Sequence, residues 1–224
     1  MPNRVIVFDV NETLLDLGHL DAPFQAAFGD TQAKSQWFGQ LLQLAMTATL
    51  VEDYRDFSTL ARAALELVAA RRGLHLTDAQ SQPILDAMRH LAPHADAQPA
   101  LTRLQTAGFR LAALTNSAPA VARAQLDNAG LAPFFEAILS VDEVRRFKPA
   151  PAPYRLAARH LQVAMSDLRL VAAHDWDITG AMAAGCRGAF VARGGIGFNP
   201  VAPQPDVWEA DLEAVAEAII RVDA

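Results

Sequence analysis

The chain has 224 residues, 52% of them hydrophobic and 20% charged, with a formal net charge of −6. That length supports one sizeable core with room for an appended unit. The acidic balance and the lack of any basic cluster argue against nucleic-acid binding. No apolar run reaches the roughly 20 residues a spanning helix needs, which argues against a membrane segment.

In chain order, the first element is a strand. "MPNRVIVFD" passes directly into the apolar run VIVFD (5–9) without the regions of a signal peptide. The only cysteine, Cys186, can form no intrachain disulfide. Both features point to a cytoplasmic protein. From 17 to 94 no strand is expected, only helical periodicity: Leu41, Leu44, Ala45 and Ala48, then Phe57, Leu60, Ala61, Ala64, Leu65 and Val68, then Ile84, Ala87, Met88 and Leu91.

Beyond this interval strands and helices alternate. Strands are expected at 110–116, 136–140, 168–174 and 188–193; helices at 97–107, 119–129, 151–162, 177–185 and 209–221. Gly108, Gly130 and Gly185 fall where left-handed C-caps would close three of these helices. The stretch GGIGFNPVAPQPD (194–206) follows a strand but opens no helix, so it reads as a loop and not a phosphate cradle. The βαβ spacing and continuously apolar strands predict an α/β fold, a doubly wound (Rossmann-like) parallel sheet core. The expected division is a core of 1–16 plus 95–224 and an inserted all-helical cap of 17–94.

Open α/β sheets bind ligands off the carboxyl ends of their strands. Those ends carry Asp9 and Thr13, then Thr115, Asn116 and Ser117, then Lys148, then His174, Asp175 and Asp177. Lysine occurs only at 34 and 148, every other cation being arginine. Lys148 thus invites a role that a compact ammonium fills.

These residues carry a resemblance. FDVNETLLD, LTNS, KPAPAPY and HDWDITGAMAAG match the four signature motifs of the haloacid dehalogenase superfamily in order and placement. The LSVDEV…KPAPAPYRLA stretch and the Trp-Asp of DWDITGA resemble its type II 2-haloacid dehalogenases most closely. The resemblance implies Asp9 as nucleophile and Lys148 as its counter-ion. It further implies Asp177 as base or positioner of the hydrolytic water, with Thr13 bonding Asp9. The substrate would meet Thr115, the amide of Asn116, Tyr154, Trp176, Phe38 and His174, and the backbone N–H groups of Val10 and Asn11. Asp177 could in addition N-cap a helix beginning near Ile178. Pairing of two copies through the cap is also implied.

Most members of that superfamily transfer phosphoryl groups with Mg²⁺. Here the position of their general acid holds Asn11, which has no proton for an alkoxide. Ala173 stands four residues before Asp177, where their second metal carboxylate belongs. Both losses suit attack at saturated carbon, since a halide leaves without a proton and no phosphoryl charge needs neutralising. The expected activity is metal-independent hydrolysis of a small 2-substituted carboxylic acid, with no cofactor, most naturally a 2-haloacid converted to the 2-hydroxyacid through an ester on Asp9.

The chain also departs from the type II pattern. Phe38 occupies the place of a cap arginine that pulls on the halide, and Arg55 lies farther along the cap. His174 replaces an asparagine, Ala172 a serine, and Glu12 the glycine of the first motif. A protonated His174 could restore part of the lost charge. Alternatives are the same nucleophile with a non-halide leaving group, such as a cyclic amine protonated by His174 or Glu12, a superfamily phosphatase, or a binding protein that has lost catalysis.

Overall fold

The computed structural model describes residues 4–223. The first strand, β1 (Val5–Phe8), is fully buried. Four helices follow, α1 (Asp21–Phe28), α2 (Gln32–Leu50), α3 (Phe57–Arg71) and α4 (Asp78–Ala87). Then come α5 (Ala97–Thr106), β2 (Arg110–Thr115), α6 (Pro119–Asn128), β3 (Ala137–Ser140), α7 (Pro151–Leu161), β4 (Leu168–Ala172), α8 (Asp175–Ala183), β5 (Arg187–Val191), β6 (Val207–Glu209) and α9 (Leu212–Asp223).

The six strands form one parallel sheet in the order β3-β2-β1-β4-β5-β6. β1 lies central, paired with β2 through Phe8 opposite Ala113 and with β4 through Phe8 opposite Val171. The strand order reverses between β2 and β4, so the switch point falls at the end of β1, where Asp9 begins the loop. Burial on both faces matches the apolar runs. One face packs Val5, Val7, Leu114 and Leu170 on α7 and α8, and the other packs Ile6, Phe8, Ala113 and Val171 into a cluster continuous with the helices of 21–87.

Those four helices are held by their own apolar stripes. Trp37, Leu41 and Ala45 of α2 face Ala61, Ala64 and Val68 of α3 in the same cluster, and Trp37 Nε1 donates to the Ala61 carbonyl at 2.9 Å. Asp56 caps α3 with bonds from the Ser58 and Thr59 amides, both 3.0 Å. A Thr77–Gln80 capping box starts α4.

The roof meets the sheet edge at several points. Phe147 N–H donates to Thr49 Oγ1 at 2.9 Å, and its ring packs on Tyr54 and Phe57 at centroid distances of 5.0 and 5.9 Å. Tyr54 donates its hydroxyl to the Asp142 carboxylate, and Gln125 Nε2 to the Met88 carbonyl at 2.7 Å.

Three expectations need correction. A sixth strand exists where only loop and helix were expected, and the last helix begins at Leu212, not 209. The helix expected over 177–185 begins at Asp175. Asp177 therefore lies inside its first turn and is not an N-cap. Gly108, Gly130 and Gly185 do carry φ of 88°, 70° and 102°. Among the described residues, no helix is long and apolar enough to cross a membrane.

Candidate active site

β1 delivers Asp9 to the switch point with its carboxylate almost fully buried. Its Oδ1 accepts from Lys148 Nζ at 2.7 Å and its Oδ2 from Thr13 Oγ1 at 2.8 Å. Lys148 reaches in from the loop before α7. Its Nζ also donates to Asp177 Oδ2 at 2.6 Å and to the Leu114 carbonyl at 3.0 Å, so all three ammonium protons are placed. Tyr154 on α7 donates to Asp177 Oδ1 at 2.6 Å. One lysine thus lies between two buried carboxylates.

The charges decide the protonation. Burial opposes ionisation of Asp9, but Lys148 and His174 outweigh it and hold Asp9 well below the usual carboxylate range. Burial also works against the Lys148 ammonium, and the charges of Asp177 and Asp9 override it and raise its pKa. Asp177 is raised by burial and by its neighbour Asp9, against the pull of Lys148. Burial beside Asp177 raises the Tyr154 hydroxyl well above its ordinary value, so it stays a donor. The arrangement is an ionised, desolvated carboxylate with fixed counter-charge.

The rest of the rim is equally specific. Asn116 Oδ1 accepts from Lys148 N at 3.1 Å, leaving its amide nitrogen for a ligand. Thr115 Oγ1 accepts from Ser117 N at 3.1 Å and keeps its own proton to donate. The side chain of Asn11 turns aside, accepting from Gln125 Nε2 at 3.0 Å and donating to Ser117 Oγ at 3.4 Å. Only its backbone N–H and that of the fully buried Val10 are left to face a substrate. Thr13 is set by its surroundings: its Oγ1 accepts from Ala173 N at 2.9 Å, and its carbonyl accepts from Arg193 Nη2 at 2.7 Å.

Three aromatic rings close the remaining side. Phe38 from α2 stacks on the His174 imidazole at 5.8 Å, and His174 stacks on Trp176 at 5.1 Å. The imidazole is 13% exposed. Its Nε2 lies 2.8 Å from Glu12 Oε2, and its Nδ1 3.4 Å from Asp9 Oδ2. Nδ1 is buried and makes no hydrogen bond, because the approach to Asp9 is an ion-pair distance without hydrogen-bond alignment. Burial opposes the imidazolium, but the close approach of the Asp9 carboxylate, the bond to Glu12 and the charges of both raise its pKa to about 10.

Glu12 occupies a left-handed backbone position with φ 63°. Such a conformation costs a non-glycine residue on the order of 1 kcal/mol. The glycine expected of the first motif would adopt it freely, so the carboxylate is retained against a backbone cost.

The structure brings Asp9, Thr13, Lys148, Tyr154, His174 and Asp177 into direct contact, with Thr115, Asn116, Phe38 and Trp176 around them. Arg55 is turned away, 62% exposed and paired with Asp53 at 3.1 Å. Sequence reasoning missed Arg193, Gln125 and the pairing of Glu12 with His174. Among the described residues, no three His, Cys, Asp or Glu side chains are grouped as a metal site would require. Asp175 spends Oδ1 on the Trp176 amide at 2.8 Å.

A cavity of about 310 Å³ opens beside Glu12 and His174, lined also by Lys34, His94, Ala173 and Arg193. A second, of about 290 Å³, runs between α2, α3, α4 and α6 as far as Ser117. Asp9 itself lines neither and is buried beneath the roof.

An open parallel sheet, a helical roof, and a buried carboxylate ending the central strand define a class of capped α/β hydrolases. The chain belongs to the haloacid dehalogenase-like hydrolases, whose family model matches residues 3–185. It is 31% identical to the (S)-2-haloacid dehalogenase of Pseudomonas sp. strain YL over 95% of this chain and 92% of that one. Identity is 34% to (S)-2-haloacid dehalogenase 1 of Pseudomonas sp. strain CBS-3, over 89% and 84%. The structure of L-2-haloacid dehalogenase from Xanthobacter autotrophicus superimposes with a TM-score of 0.90 at 28% identity, covering 99% of both chains. That enzyme with chloropropionic acid covalently bound gives 0.90 at 27% identity, also over 99% of both.

Proposed function

We propose that the protein hydrolyses a small (S)-2-haloacid to the 2-hydroxyacid, with inversion, through an ester on Asp9. The observation that carries this is the Asp9 carboxylate, desolvated yet held ionised by Lys148 at 2.7 Å. An anion stripped of water and oriented by fixed donors is a strong nucleophile toward saturated carbon. The relatives named as (S)-2-haloacid dehalogenases, and the neighbour holding chloropropionic acid covalently, support the substrate class.

Asp9 attacks C2 from the side opposite the halogen, the carbon–halogen bond breaks, and halide departs with the bonding electrons. The Asn116 amide and the edge of the Trp176 ring receive the halide. Thr115 and the N–H groups of Val10 and Asn11 hold the substrate carboxylate. Asp177 fixes Lys148 and Tyr154; each of its oxygens already accepts a short bond, which favours that role over proton abstraction. Asn11 supplies no acid and Ala173 no metal ligand, consistent with a leaving group that needs neither. The reading includes a cytoplasmic setting and pairing of two copies through the cap. Leu50 and Val51, bare at the end of α2, support the pairing, and sedimentation velocity tests it.

The test is one turnover in H₂¹⁸O with enzyme in excess over (S)-2-chloropropionate. Label in the Asp9 peptide is the expected result. Label only in lactate, with none in the protein, overturns the ester.

A further inference from the structure

The ester on Asp9 must be opened by water, and the groups that hold Asp9 are poorly suited to take that water's proton. Lys148 is a fully engaged ammonium, and both oxygens of Asp177 accept short bonds. His174 differs. Its Nε2 is tied to Glu12 while its buried Nδ1 faces Asp9 without a hydrogen bond.

We infer that Glu12 and His174 form a base dyad that activates the hydrolytic water for attack on the Asp9 ester. Glu12 accepts the Nε2 proton and so fixes the tautomer whose lone pair is on Nδ1. Phe38 and Trp176 hold the ring from either face, which keeps Nδ1 directed at the Asp9 carboxyl. The cavity beside Glu12, Lys34, His94 and Arg193 brings solvent to the dyad from outside the roof. The strained backbone of Glu12 is a second, independent sign that its carboxylate is wanted there.

The chemistry balances over the cycle. In the resting enzyme the charges facing the ring are Asp9 and Glu12, with Lys148 behind Asp9, and the two carboxylates favour the protonated imidazole. Alkylation turns Asp9 into a neutral ester and removes one of the two anions that hold that proton. The Nδ1 proton then leaves to solvent, accompanying the halide. Water attacks the Asp9 acyl carbon and gives one proton to Nδ1. The bond from that carbon to the substrate oxygen breaks, and the second water proton passes to the departing alkoxide. Hydroxyacid, Asp9 carboxylate and His174 imidazolium result, and the net release is one proton and one halide. Glu12 acts through His174 and is a positioning residue.

This inference rests on the ester mechanism, and the experiment separates the two. Wild type, His174→Asn, Glu12→Gln and Glu12→Gly are mixed with (S)-2-chloropropionate under rapid quench. Chloride release in the first turnover and alkylated protein by mass are followed over pH 6–10. In the three variants steady turnover is expected to fall roughly 10²-fold, the usual worth of a general base, while the chloride burst slows far less. Alkylated enzyme then accumulates. Glu12→Gln, which retains an acceptor oxygen, is expected to lose less than Glu12→Gly. Glu12→Gly is expected to unfold no earlier than wild type, since it relieves the positive φ, so its loss is not a folding defect. The wild-type rate of ester breakdown rises with pH to a plateau, and His174→Asn abolishes that limb. A burst slowed as much as turnover, with no ester building up, overturns the dyad. So does unchanged turnover. If no ester forms in wild type or variants and Asp9 takes no ¹⁸O, the ester mechanism falls instead, and the dyad with it.

Discussion

Strand β4 carries at each end an ion network centred on a buried cation, and the two are built differently. At its start Arg169 is fully buried, and all five of its N–H donors are used. Asp223 takes two at 2.5 and 3.0 Å, Asp206 two at 2.5 and 2.9 Å, and the Gly188 carbonyl one at 2.7 Å. Beyond the other end lie Asp9, Lys148, Asp177 and His174. There Lys148 is saturated, but Nδ1 of His174 is not. A network with every donor spent ties α9 to the sheet and has nothing left for a ligand. The other holds charge in reserve, and that difference marks which end does chemistry.

The largest effect expected is at Asp9, the nucleophile of the proposed reaction. Asp9→Asn should lower turnover of (S)-2-chloropropionate on the order of 10⁴-fold or more while leaving the fold intact. Chloride release and thermal denaturation measured on one preparation check both halves.

Charge removal should separate the networks further. Lys148→Met leaves two buried carboxylates facing each other, and Arg169→Met leaves buried Asp223 with Arg4 as its remaining partner and half-exposed Asp206 with Arg187. Lys148→Met is expected to cost about 3–5 kcal/mol of stability in urea denaturation, as loss of one buried partner does, and Arg169→Met less, because its partners keep other arginines. Activity should part them. Lys148→Met is expected to be inactive, whereas Arg169→Met keeps its kcat per folded molecule. An Arg169 variant that folds fully yet loses turnover would break the comparison.

The pH dependence of stability follows with a smaller amplitude. His174 is raised from 6.5 to about 10, so its contribution is full below pH 6.5, erodes above it, and is gone beyond about 10. Asp9 and Asp206 are lowered, Asp9 against its burial by Lys148 and His174, Asp206 chiefly by its bonds from Arg169. Their contributions are present above about 3.8 and are lost in acid. Both networks therefore share the acid limb, and the alkaline limb between 6.5 and 10 belongs to the site. His174→Asn should flatten that limb, worth on the order of 2 kcal/mol, in denaturation series at fixed ionic strength.

Much of this was legible in the sequence because strand ends in an open α/β sheet converge regardless of detail. Asp9, Thr115, Lys148 and Asp177 needed only their strands to be placed. What escaped depended on geometry that no periodicity encodes. β6 has three residues, with Trp208 at its middle 45% exposed, too short for a burial pattern to show. The start of α8 was obscured because its first turn, Asp-Trp-Asp, is polar, though Asp177 points into the core. Glu12 and His174 are 162 residues apart, and they meet with Glu12 in a left-handed backbone that no periodicity announces. Arg169 was hidden inside an apolar run, where a single charge reads as a strand-edge residue until Asp206 and Asp223 are seen around it.

A last test probes how tightly the site is braced from behind. α8 passes the Lys148–Pro149 segment at Gly180, where an added Cβ would sit 2.7 Å from the Pro149 carbonyl oxygen. Backbone cannot yield as a flexible side chain does, so Gly180→Ala must push α8 and that segment apart. Overpacking of this kind costs about 1–3 kcal/mol. Because Lys148 is bonded to both Asp9 and Asp177, the same shift should lengthen one of its two short contacts and lower kcat more than it raises KM. Gly188→Ala on β5 makes the control: its Cβ would press on the same helix but through side chains, Ile178 Cγ2 at 2.7 Å and Met182 Sδ at 2.9 Å, which can yield without moving the Pro149 backbone. It should cost comparable stability without the kcat loss. Equal losses of kcat in the two variants would mean that the bracing is general to the core and not directed at the lysine.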